Sequence, residues 1–254
     1  MAKKKTTVFK VIAVSVIYLS VAAIAVYLIT WYLNRPRFVR YPAFGIPVPV
    51  NYAIHGIDIS RHQAAIDWDD VSTMQDKNIK IGFTFIKATE GLNNVDMAYR
   101  RNWVNAKEAK IPRGAYHFFI SSKSGKAQAE NFIQTVTLEK GDMPPVLDIE
   151  QTNGASVADL QQRAKDWLVM IEEQYKVKPV IYTNVEFYEN FLAGKFDDYP
   201  LWVAHYLVED KPRIKRSWLF WQYSEAGHVN GIDAFVDFNA FNGDSTDFKN
   251  LLLK

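Results

Sequence analysis

Asp148 and Glu150 stand two residues apart in the segment PPVLDIE (144–150). If that segment is a strand, alternation puts Val146, Asp148 and Glu150 on one face and Leu147 and Ile149 on the other. Two ionisable groups beside apolar neighbours are costly unless they are paired or used. The nearest Lys or Arg in the sequence are Lys140 and Arg163, so no cation is expected locally. Two further acids fall near the ends of apolar runs, Asp58 in GIDIS (56–60) and Asp237 in VDFN (236–239). Each of these, taken alone, fits capping or turn bonding as well as chemistry. A carboxylate cluster without local cations fits either acid–base work or a divalent metal. Burial and mutual repulsion raise the proton affinity of some members, which keeps a carboxyl group protonated near neutral pH. Paired carboxylates about a sugar bond are the glycosidase arrangement.

The aromatic fraction is 14%, including 7 Trp and 13 Tyr. Tyr116, Phe118, Tyr182, Trp202, Tyr206, Trp221 and Tyr223 also fall near strand ends, where rings suit stacking on sugars or filling a core. Other chemistries find less support. The five histidines (His55, His62, His117, His205, His228) show no zinc-ligand spacing, and cysteine is absent, so neither a metal nor a cofactor is expected. No nucleophile elbow and no P-loop occur. His117 reads as a hydrogen-bonded structural residue, with contact to substrate as the alternative.

The acids need a scaffold. From His55 onward, short apolar runs alternate with amphipathic segments. Strands are predicted at 55–59, 81–87, 114–119, 145–150, 179–183, 201–206, 219–223 and 235–239. The clearest helix is Ser156–Tyr175, where Leu160, Ala164, Trp167, Leu168 and Ile171 recur at helical spacing and Ser156 caps. Eight strands with helices thinning toward the C-terminus predict an α/β fold, a closed parallel β/α barrel incomplete in helices. An open doubly wound sheet is the alternative, but no G-x-G-x-x-G follows any strand.

At 254 residues and 48% apolar, the chain is long enough for one large core. Its net charge of +2 is uneven. Residues 1–50 carry seven basic groups and no acid, so the remainder holds 23 basic and 28 acidic groups, a net of −5. A mildly acidic body argues against nucleic-acid binding. Val11–Leu33 is 23 residues without charge, Pro or Gly, enough to cross a bilayer. An uncleaved anchor is the first reading. A signal peptide cut after Ala23-Ile24-Ala25 is the second, and would give a secreted protein. The flanking Lys and Arg favour a cytoplasmic N-terminus, with the body outside the cytoplasm and single-pass in the cell (inner) membrane. The expected organisation is a basic tail (1–10), an anchor (11–33), a proline-containing stalk (34–52) and a barrel (53–254). Packing of Phe44, Ile46 and Val48 onto the body is the alternative to the stalk.

The strand-end segments, taken together, carry a resemblance. GIDISRHQAAIDW (56–68), FTFIKATEG (83–91), GAYHFF (114–119), PPVLDIE (144–150), IYTN (181–184), LWVAHY (201–206), WQYS (221–224) and GIDAFVDFN (231–239) appear in order. Over about 56–243 the chain resembles the family 25 glycoside hydrolases, the N-acetylmuramidases also called Chalaropsis-type lysozymes. The resemblance implies an irregular TIM-like barrel of eight strands and fewer helices. It also implies hydrolysis of the β-1,4 bond from N-acetylmuramic acid to N-acetylglucosamine in peptidoglycan. Glu150 would be the general acid and Asp148 the carboxylate that orients or stabilises the substrate acetamido group. Asp58 and Asp237 would be the remaining acids of the cleft, with Tyr182 and Trp202 touching substrate. Tyr116, Tyr206 and Trp221 complete the expected substrate-binding set. Ala64 and Lys110 depart from the family, which often has glycine at both places. A membrane-tethered glycan-binding module without catalysis is the alternative, and turnover on peptidoglycan separates the two.

Overall fold

The computed structural model describes residues 2–33, 37–208 and 210–254, with side chains for 14–32, 37–208 and 210–254. The chain forms two compact units, 1–37 and 38–254. The first is a helix, Ala2–Leu33, which takes residues 2–10 of the expected tail into its opening turns. Over Val14–Tyr32 it is apolar on every side and exposes its side chains. A helix hydrophobic all round needs an apolar surrounding, and 19 residues rise about 28 Å. By length and composition it is of the membrane-spanning type.

The second unit opens with a hairpin, Phe38–Tyr41 paired antiparallel with Ile46–Pro49. This corrects the stalk expected over 34–52. Residues 34–36 lie outside the described residues, but from Phe38 onward the chain is folded against the body. Phe44, Ile46 and Val48 are buried, and the Phe44 ring lies 5.2 Å from that of Phe238. Each such side chain gains about 1.5–3 kcal/mol by leaving water, which outweighs the extended preference of the prolines. Pro47 and Pro49 are tolerated because a two-stranded hairpin has edges that need no N–H donor.

Eight strands then close a barrel: β1 His55–Ile59, β2 Ile79–Glu90, β3 Arg113–Phe118, β4 Val146–Asp148, β5 Val180–Asn184, β6 Leu201–Ala204, β7 Phe220–Val229 and β8 Ile232–Phe241. β1 to β7 pair in parallel, each with the next. β8 is antiparallel to both β7 and β1. The all-parallel barrel read from the sequence is wrong at this last strand. Only Asn230 and Gly231 separate β7 from β8, and so short a link makes a hairpin, not a crossover. Gly231 sits at φ +84, where a Cβ would lie 2.3 Å from the Asp67 carbonyl oxygen.

Helices pack outside the first five strands. The longest, Val157–Tyr175, starts where expected, with the Ser156 hydroxyl accepting from the Asp159 N–H. Between β6 and β7 no helix occurs among the described residues. The core has two layers. Ile57, Ile86, Leu147, Ile149, Ile181 and Val203 face outward onto the helices. Phe83, Phe85, Val146, Val180, Trp202, Phe220 and Phe241 fill the barrel itself. Phe248, from the C-terminal helix Ser245–Leu251, packs on Phe83 and Phe241. Filled in this way, the interior leaves room for a ligand at the ends where β1–β7 finish.

Candidate active site

A cleft of ≈ 390 Å³ opens at that mouth, and all four expected acids line it. Asp58 comes from β1 and Asp148 ends β4, with Glu150 two residues beyond. Alternation works as read: Asp148 and Glu150 face the cleft, while Leu147 and Ile149 join the outer layer. Asp237 arrives differently. Because β8 runs backward, Asp237 lies in mid-strand and not at a C-terminal strand end; its register is opposite Asp58.

The floor of the cleft is a hydrogen-bond network. Asp58 Oδ2 accepts from Gln222 Nε2 at 2.8 Å and from Asn239 Nδ2 at 2.7 Å. The Tyr182 hydroxyl donates to Gln222 Oε1 at 2.7 Å, and the Tyr206 hydroxyl donates to the same oxygen. Trp202 Nε1 donates to Asn239 Oδ1 at 2.7 Å. Both amides are thereby held with their NH₂ groups toward Asp58. The Asp58 and Asp237 carboxyls stand opposite each other across the β8–β1 pairing, and the charge of Asp237 favours a proton on Asp58. Asp148 differs: it is 7% exposed and its Oδ1 has no hydrogen-bond partner. A buried acceptor left open is costly and calls for a reason.

All four acids hold protons more tightly than free carboxyls do. Burial raises Asp58 well above its ordinary range, and Asp237 adds to that. Burial and then the neighbouring Glu150 raise Asp148 in the same way. Glu150 is raised by burial and pulled back by Lys87. Asp237 is pushed up to about 6, first by burial. A carboxyl raised in the folded state favours folding while protonated, so that contribution is lost as pH climbs from the unfolded value toward the folded one. For Asp237 the window runs from 3.8 to about 6. Melting temperature should therefore decline across that interval, and Asp237→Asn should flatten the decline, because it also removes the charge that raises Asp58. An unchanged slope in thermal melts from pH 4 to pH 6.5 would contradict the pairing.

Tyr116, Tyr182, Trp202 and Tyr206 line the cleft as expected, and Phe118 does too. Trp221 does not. It is fully buried on the outer face of β7, donates Nε1–H to the His205 carbonyl at 2.9 Å and packs edge-on to Phe38. Tyr223, two residues on, shares that face and reaches His55 Nδ1. At the cleft end, β7 turns Gln222 inward. His117 is structural, bonded to Thr89 and Gln128 and stacked on Trp167.

Sequence reading missed Lys87, Gln222, Glu225 and Asn239. Lys87 corrects the expectation that no cation serves the acids. It lines the cleft from β2, bonds Glu90 at 2.7 Å, and its ammonium lies 4.6 Å from the centre of the Phe118 ring. The usable signal was FIKATEG, where alternation from Phe85 puts Lys87 inward at a strand end.

The two glycine departures also have a physical meaning. Ala64 has φ 51 and ψ −122, and Lys110 has φ 59. Both are left-handed positions, where a Cβ is strained by about 1 kcal/mol or more. Ala64→Gly is expected to raise the melting temperature by about 2–4 °C, with activity unchanged. A lower melting temperature would contradict it.

Comparison with known proteins agrees with this geometry. The family model described as Glycosyl hydrolases family 25 matches residues 57–232. The uncharacterized protein YegX of Escherichia coli (strain K12) is 45% identical over 215 residues, 85% of this chain and 79% of that protein. Lysozyme M1 of Streptomyces globisporus is 36% identical over 208 residues, covering 75% of this chain and 68% of its own length. A family 25 glycosyl hydrolase from Bacillus anthracis superposes with a TM-score of 0.72 at 33% identity, covering 79% of this chain and 94% of that structure.

Proposed function

The chain belongs to glycosyl hydrolase family 25, and on that premise we infer that it is a muramidase, hydrolysing the β-1,4 bond between N-acetylmuramic acid and N-acetylglucosamine in peptidoglycan. The observation that carries the reading is the cleft itself: four carboxyl groups with raised proton affinity, framed by aromatic rings. Glu150 is the general acid. Its proton passes to the glycosidic oxygen as the bond to the anomeric carbon breaks. Water then gives hydroxide to that carbon and returns a proton to Glu150. Asp148 offers its open Oδ1 to the acetamido N–H or to positive charge developing beside it. Lys87 favours the ionised form of Asp148 for that task. Asp58 and Asp237 bind sugar hydroxyls, while Gln222 and Asn239 hold Asp58 in place. Tyr116, Tyr182, Trp202 and Tyr206 contribute the ring contacts.

Incubating the compact 38–254 unit with purified peptidoglycan should release soluble glycan fragments. Binding without release would indicate a glycan-binding module instead. A glycan substrate outside the cytoplasm requires the barrel there as well. The helix Ala2–Leu33 then anchors the protein in the cell membrane, with its Lys-rich start in the cytoplasm. Protease added to spheroplasts should digest the 38–254 region, and full protection would contradict this orientation. Recovery of a chain lacking its first 25 residues would instead identify a cleaved signal peptide.

A further inference from the structure

The outer part of β8 carries a feature that the four acids do not use. Alternation places Asn239, Asp237 and Phe235 on one face of the strand. The opposite face is fixed independently, because Val236, Phe238 and Ala240 are all buried in the outer core. Along the first face Asn239 bonds Asp58 inside the barrel, Asp237 lines the cleft, and Phe235 stands two residues, about 7 Å, further out. Phe235 is 60% exposed, whereas Phe238 and Phe241 on the same strand are buried.

The ring is exposed but held. Gln63, which lines the cleft, donates from Nε2 to the Phe235 carbonyl at 3.0 Å. The His228 ring packs against Phe235 at 4.9 Å. His228 is itself fixed by its N–H bond to the Phe44 carbonyl at 2.9 Å, and its ring lies against Gly45, where a Cβ would come within 2.8 Å. A solvent-facing aromatic held beside a polar cleft presents a flat apolar face to a ligand that extends out of the cleft. The ligand already assigned to the cleft is a polymer whose rings each have an apolar C–H face.

We propose that Phe235 is a stacking platform for a sugar ring of the glycan strand, at a subsite outside the catalytic acids on the β8 side. The proposal rests on the muramidase reading above. Such a ring binds ground state and transition state alike, so it acts on KM and not on kcat. It also matters only for substrates long enough to reach it.

The test uses the full chain in detergent and a series of peptidoglycan glycan fragments of increasing length. In the parent, kcat/KM should step up once fragments span from the cleft to Phe235. Phe235→Ala should lose that step, about three- to tenfold and entirely in KM, while cleaving the shortest substrates at the parental rate. Phe235→Trp should keep the step, and the melting temperature of both variants should match the parent, since the side chain is exposed. The same length dependence in Phe235→Ala and parent overturns the proposal, as does an equal loss on all lengths. If the parent cleaves no fragment of any length, the muramidase reading fails, and this inference with it.

Discussion

Replacing Glu150 by Gln is expected to lower turnover on peptidoglycan about 10²–10⁴-fold while leaving the melting temperature equal to or above that of the parent. The loss corresponds to about 3–5 kcal/mol of transition-state stabilisation, the usual contribution of a positioned general acid. The stability half follows from the sign of the shift. Burial raises the proton affinity of Glu150 and Lys87 offsets only part of it, so the folded state disfavours the carboxylate at neutral pH. Gln keeps the shape and removes the charge, as expected where function is maintained at the expense of stability. A variant that melts several degrees lower and stays active would make Glu150 a structural residue.

The opposite behaviour is expected at Arg113, which begins β3 at the far end of the barrel from the cleft. Its guanidinium is 3% exposed and grips Asp142 through Nε at 2.8 Å and Nη2 at 3.3 Å. It also donates to the Trp103 carbonyl and lies 4.0 Å from the centre of the Trp103 ring. Arg113→Met leaves Asp142 buried and without its cation, a loss of roughly 3–5 kcal/mol. Molecules that remain folded should cleave at the parental rate, because no part of this cluster touches the cleft. Equilibrium unfolding alongside turnover per folded molecule measures both. A loss under about 1 kcal/mol would contradict the pairing, and a specific loss of turnover would contradict its distance from the chemistry. Together, Glu150 and Arg113 distinguish a charge kept for chemistry from a charge kept for folding.

Much of the site was legible because strand alternation is strictly local. PPVLDIE alone predicts that Asp148 and Glu150 share a face, and the helix Val157–Tyr175 with its Ser156 cap follows from spacing within twenty residues. The same rule applied to WQYS turns Gln222 inward and Trp221 outward, as observed; an aromatic side chain near a strand end need not face the cleft. What no local rule supplies is closure. Lys87, Gln222 and Asn239 reach Asp58, Asp148 and Glu150 only because six parallel pairings and two antiparallel ones bring distant strands around one axis. The direction of β8 was readable in principle, since Asn230-Gly231 leaves no room for a crossover. The N-terminal hairpin was harder: its prolines favour extension, and only the barrel surface supplies the partner that buries Phe44. Ala64 and Lys110 were visible as departures from glycine, but their cost lies in a backbone conformation that the sequence does not display.

The measurement that tests the central claim most directly is the identity of the new reducing ends made on purified peptidoglycan. After digestion, reduction with labelled borohydride and acid hydrolysis mark whichever sugar was freed at its anomeric carbon. A muramidase acting through Glu150 should yield labelled muramitol, and Glu150→Gln should yield almost none under the same conditions. Labelled glucosaminitol in its place, or muramitol formed equally well by the Gln variant, would contradict the account.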